Sequence, residues 1–102
     1  MIPDSVIEEI KYRCPIEDVI SRYVNLKRAG SNMNGLCPFH SEKTPSFTVF
    51  RDTRSFYCFG CGVGGDQISF VMKAEHLDYP DAIAFLAKRA GITIVESDTQ
   101  QY

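Results

Sequence analysis

Two pairs of soft donor residues constrain this chain more than any other feature. Cys37-Pro38-Phe39-His40 and Cys58-Phe59-Gly60-Cys61 each set two donors two residues apart, and 17 residues separate the pairs. That spacing lets both side chains of a pair reach one ion from a tight turn. The interval has the length of a strand, a turn and a returning strand, so closing both pairs on one ion imposes a hairpin. Three thiolates and one imidazole in a tetrahedral arrangement suit Zn2+. Gly60 and Gly62 fall in the second turn, where the backbone must fold close to the sulfurs. Four protein donors close the site. A closed zinc site is structural, whereas a catalytic one keeps a position for water.

The remaining cysteine arithmetic supports a metal over disulfides. Cys14 stands before Pro15 with no donor two to four residues away, so it is read as a packing residue outside the site. A redox reading of Cys58 and Cys61 needs a strand-to-helix setting, and here the pair follows a hairpin strand. His76, after Lys73-Ala74-Glu75, reads as an exposed histidine at a helix end. Gly62-Val63-Gly64-Gly65 precedes a helix without the lysine of a phosphate-binding loop, and reads as the exit from the metal turn. Nucleophile-base pairs and carboxylate clusters are not evident, so the chain itself reads as non-catalytic.

At 102 residues the length prior is a single domain, 1–102. The longest apolar run is six residues, 82–87, short of a membrane span or a signal segment. The acidic opening lacks a targeting flank, so the expected location is cytoplasmic, with no membrane partner. Val6, Ile7 and Ile10 recur at helical spacing, and this helix should stop before Pro15. Pro15 fits the first turn of a second helix carrying Ile16, Val19, Ile20 and Tyr23. Strand pattern begins at Val24. Gly30-Ser31-Asn32 supplies a turn and 33–37 a returning strand, and then 46–50 and 55–59 form a hairpin around 51–54. Alternation along that hairpin turns Phe47, Val49, Phe56 and Cys58 to one side and Phe50, Tyr57 and Phe59 to the other.

Asp66 caps a helix with Ile68, Val71 and Met72. Asp78 and Pro80 open another with Ile83, Leu86, Ala87 and Ala90, which stops at Gly91. Residues 92–95 are read as a short strand or tail. The resulting class is α+β: a small antiparallel zinc-ribbon sheet flanked by short N-terminal and C-terminal helices. Its bounds are helices over about 3–22, ribbon over about 23–63, helices over about 66–91 and a tail over 92–102.

The net charge of −2 conceals an asymmetry. Residues 1–21 and 57–102 carry −3 each, whereas 22–56 carries +4 from Arg22, Lys27, Arg28, Lys43, Arg51 and Arg54 against Glu42 and Asp52. A polyanion senses such a segment where an averaged charge does not. Aromatic residues interleave with it, offering rings for base stacking beside charge for phosphates, although at least half of them belong to the core.

The motifs Leu26-Lys27-Arg28-Ala29-Gly30, Gly35-Leu36-Cys37-Pro38-Phe39-His40, Glu42-Lys43-Thr44-Pro45-Ser46-Phe47 and Tyr57-Cys58-Phe59-Gly60-Cys61-Gly62 together carry a resemblance. The chain resembles the N-terminal zinc-binding domain of bacterial replicative DNA primase, over almost its whole length. The resemblance implies one structural Zn2+ on Cys37, His40, Cys58 and Cys61. It also implies contact with single-stranded template DNA and a role in RNA primer initiation beside a separate polymerase core, in cis or in trans. Mg2+ belongs only to that core, and other replication proteins are further expected partners. Lys27, Arg28, Lys43 and Arg54 are the expected DNA-facing bases, joined by Arg51 from the same positive segment. Two other readings stay open: a ribbon that docks an acidic protein surface, and a zinc hydrolase, which needs an open metal position.

Overall fold

The computed structural model describes residues 2–41 and 43–93. Two helices come first, α1 (Asp4–Arg13) and α2 (Ile16–Ile20). Asp4 in the first turn and Lys11 and Arg13 in the last complement the dipole of α1. Pro15 stands immediately before α2 with extended backbone, φ −54° and ψ 141°, rather than inside its first turn. That placement separates the two helices sharply and turns Ile16, Val19 and Ile20 inward.

A five-stranded antiparallel sheet follows in sequential order: β1 (Lys27–Ala29), β2 (Asn32–Gly35), β3 (Phe47–Phe50), β4 (Ser55–Cys58) and β5 (Gly64–Gly65). Two helices close the described chain, α3 (Gln67–Ala74) and α4 (Tyr79–Ala90). The α+β class expected from the sequence is the class observed. Of the segment 92–95, expected as a short strand or tail, Ile92 and Thr93 form no strand, and its remainder, with the rest of the tail, lies outside the described residues.

The strand β5 lies within 62–65, which the sequence marks only as the exit from the metal turn, since two glycines carry no strand propensity. It forms because β4 supplies a partner, pairing Phe56 with Gly65 and Tyr57 with Gly64. Only glycine fits there. A Cβ on Gly64 would lie 2.9 Å from Tyr57 Cδ1, and one on Gly65, at φ +149°, would lie 2.6 Å from Ser69 Cβ.

The register assigns the faces. Met33, Val49 and Phe56 share one cross-strand row, and Gly35, Phe47 and Cys58 the next on the same face. This face meets α3 through Phe70, whose ring lies 5.4 Å from Phe56, 6.1 Å from Phe47 and 5.3 Å from both Tyr23 and Phe39. The opposite row runs Lys27, Asn34, Thr48, Tyr57, Gly64 and faces outward. Tyr57 and Phe59 are exposed while Phe47, Val49 and Phe56 are buried, as alternation requires.

Three caps fix the C-terminal half. Asp66 accepts a hydrogen bond from Ser69 N at 2.9 Å and pairs with Lys11 Nζ at 3.1 Å. His76 takes a left-handed conformation, φ 56°, so that Leu77 N donates to Met72 O and closes α3. Gly91 does the same for α4 at φ 74°.

Candidate metal centre

The register also brings the two donor pairs together. Gly35 at the end of β2 and Cys58 at the end of β4 both pair with Phe47, the first residue of β3. The turns that leave β2 and β4 therefore emerge side by side, separated by one strand. Gly35 permits this, since a Cβ there would strike Val24 Cγ1 at 2.5 Å.

The two turns share one local geometry. Phe39 N donates to Cys37 Sγ at 3.4 Å, and Gly60 N donates to Cys58 Sγ at 3.4 Å. Each amide thus lies two residues after the first sulfur of its pair, where it supports negative charge. The donor atoms of Cys37, His40, Cys58 and Cys61 all lie within 4.8 Å of one another. Cys37 Sγ and Cys61 Sγ are 3.9 Å apart. Sulfurs on a tetrahedral zinc with bonds of ~2.3 Å stand about 3.8 Å apart, so the donor set fits that ion.

Burial divides the four unequally. Cys37 and Cys58 belong to the hydrophobic core, His40 is half-buried and Cys61 is exposed. Burial pushes the Cys37 thiol up. Burial opposes ionisation of Cys58 too, but the amides of Cys61 and Gly60 and the Ser46 hydroxyl outweigh it and hold that thiol below its ordinary value. One thiolate is thus well supported, and a second so close to it calls for a cation. Cys14 stays apart, buried with its thiol 3.5 Å from Leu86 O, as a packing residue should be.

The bases singled out from the sequence do not form one cluster. Lys27 and Arg28 are neighbours on β1 and so leave the strand on opposite faces, Lys27 in the outward row and Arg28 in the row of Met33. Lys43 is exposed in the segment between His40 and β3. Arg51 and Arg54 occupy the β3–β4 turn at the end of the sheet away from the metal donors, where Arg51 Nε donates to Ser31 O at 3.4 Å. They line a cleft of about 220 Å3 with Lys11, Tyr12 and Glu17. Four-residue strands make these two ends about 13 Å apart.

Some residues that shape the site escaped the sequence reading. Phe70 and Gln67 are fully buried although neither was in the helical pattern assigned to α3. Gln67 Nε2 donates to Lys11 O at 3.1 Å and to Cys14 O at 3.0 Å, tying the start of α3 to the end of α1. The missed signal is the density of large apolar residues in 68–72, which marks a helix buried on more than one side.

The family model of the CHC2 zinc finger, the DnaG-type zinc ribbon, matches residues 2–102. The chain belongs to the CHC2 zinc-finger family. This CHC2 finger is 52% identical over 94 residues to a DNA primase of Thermotoga maritima, covering 92% of the chain and 17% of that protein. It is 49% identical over 94 residues to a DNA primase of Pseudomonas putida, covering 92% of the chain and 14% of the relative. The crystal structure of the Aquifex aeolicus primase (zinc-binding and RNA polymerase domains) superposes on it with a TM-score of 0.85 at 45% identity, over 93% of this chain and 24% of that one. The CHC2 finger therefore spans 14–17% of the length of these curated relatives. Among its described residues, no helix is long and apolar enough to cross a membrane.

Proposed function

We propose that this chain is the template-contacting zinc domain of a DNA primase, non-catalytic by itself, which assists RNA primer initiation by a separate polymerase core. The supporting observation is the convergence of Cys37, His40, Cys58 and Cys61 within 4.8 Å, in a finger alike to primases over more than nine-tenths of its length. Those four residues would hold one Zn2+, whose bound form locks the two turns against the sheet. The chemistry it supplies is structural. Around it the outward row and its neighbours offer the means to hold a single strand: Tyr57 and Phe59, with ring centroids 4.9 Å apart, present faces for bases. Lys27, Lys43, Arg51 and Arg54 offer charge to phosphates, Arg28 adding its own from the far side of the edge strand.

Fluorescence anisotropy of a labelled single-stranded oligodeoxynucleotide against the zinc-loaded chain tests this reading. Three or four phosphate contacts give a slope of about −2 to −3 in log K against log salt. Charge reversal at Lys27 and Lys43 should weaken binding and flatten the slope with zinc retained. Reversal at Lys88 and Arg89 on α4 should change little. Equal losses from the two pairs would mean diffuse attraction without a defined face, and would remove the reading.

A further inference from the structure

A groove of about 570 Å3 opens along the β1 edge, beside the turn that leads to Cys37. Its volume lies in the range of small-molecule sites. Lys27, Arg28, Asn25, Asn34, Leu36 and Tyr23 are among its lining residues, and among the described residues no carboxylate lines it. In this it differs from the cleft at the hairpin turns, which includes Glu17, and from a groove on the helical side, which includes Glu75. Arg51 spends its guanidinium on Ser31 and Lys11 its ammonium on Asp66. The side chains of Lys27, Arg28, Asn25 and Asn34, by contrast, have no hydrogen-bond or ion-pair partner among the described residues.

The construction of the groove is rigid on both sides. The chain at 24–26 lies so close to β2 that only a glycine fits at position 35. Tyr23 is fixed by donating its hydroxyl to Glu75 Oε2 at 2.6 Å. Because β1 is the sheet edge, Lys27 and Arg28 straddle it from opposite faces and yet both reach the groove. Leu36, half exposed at 50%, offers an apolar wall.

Cations without acids select an anion, amides select the edge of a base, and an apolar wall selects its face. We infer that this groove is a nucleotide site: it takes one nucleoside phosphate, the phosphates on Lys27 and Arg28, the base on Leu36 with Asn34 or Asn25 at its edge. The inference rests on the template-binding reading and gives it an anchor point at the sheet edge. The same chemistry is offered by a nucleotide within a strand and by a free nucleoside triphosphate.

Amide spectra of the zinc-loaded chain separate these sources. The chain is titrated in turn with each of the four ribonucleoside triphosphates, with inorganic triphosphate and with a mixed-sequence oligodeoxynucleotide. Asn25, Lys27, Arg28, Asn34 and Leu36 should shift as one set. Lys27→Ala with Arg28→Ala should weaken that binding by about tenfold or more. Asn34→Ala should weaken nucleotide binding and leave inorganic triphosphate unchanged. Shifts of this set with free nucleotides assign the site to a free nucleotide, and shifts with the oligonucleotide alone assign it to the strand; both support the inference. An oligonucleotide that moves only Tyr57, Phe59 and the hairpin turn overturns the inference and leaves template binding standing. Inorganic triphosphate that binds as tightly as the nucleotides, with Asn34→Ala indifferent, overturns it as a bare anion patch. Silence toward every ligand overturns both readings.

Discussion

Gly64 and Gly65 pack so closely against Tyr57 and Ser69 that neither position has room for a side chain. Gly65→Ala would place a methyl 2.6 Å from Ser69 Cβ at φ +149°, a conformation that L-residues rarely adopt. The expected outcome is a loss of about 1–3 kcal/mol in denaturant unfolding, with zinc stoichiometry preserved. Gly30→Ala meets nothing within 4 Å, so at φ +66° it suffers conformational strain alone and should lose less. At this scale the four metal donors were legible because their geometry is local, two residues to a turn. The close approach of β5 was not, since it depends on what β4 places opposite. Lys27 and Arg28 teach the same point: adjacent in sequence and alike in charge, they read as one patch, and only strand alternation sends them to different faces. Asn25 and Asn34 gave no signal, being ordinary polar residues until the fold sets them on one groove.

The helix α3 is the element on which the rest is assembled. Phe70 touches rings from the sheet, from the turn after α2 and from the first donor turn, so Phe70→Ala should loosen all three at once. Asp66 holds the start of this helix, and its ionisation gives a pH signature. Burial disfavours its charged form, but the Ser69 amide and Lys11 outweigh burial and hold the carboxyl below the usual range. A carboxyl whose folded value is depressed contributes stability above its unfolded value of about 3.9, and that contribution is lost as pH falls through the folded value. Asp66→Asn keeps a capping oxygen without a charge that titrates. The expected result is a lower melting temperature than the parent at pH 7 and a difference that shrinks below about pH 4, followed by circular dichroism. Asp66→Ala also removes the cap and should lose about 0.5–2 kcal/mol at pH 7. The cap and the helix were legible from Asp66 onward, whereas the depth of α3 was not. A helix buried against a sheet and other helices shows no narrow apolar stripe, and the periodicity that identifies surface helices understates it.

For the molecule as a whole, two metal donors are also core residues, so metal and core stability are joined. Structural zinc contributes about 10–16 kcal/mol of apparent binding energy, which exceeds the net stability of most small domains. Chelation should therefore unfold at least the sheet from its donor end, with helical signal partly retained, while Cys14→Ser leaves one zinc per chain. A chelated sample with native amide dispersion would refute this. The unequal burial of the donors has a kinetic side. Cys37 and Cys58 are closed off by packed side chains, and Cys61 alone of the three thiols opens to solvent. An incoming chelator or alkylating agent meets Cys61 first, and the ion departs by successive displacement starting there. Exchange of the metal is then paced by how often one outer sulfur swings away, rather than by the opening of the domain, and peptide mapping after brief alkylation should find the label at position 61 before it appears at 37 or 58.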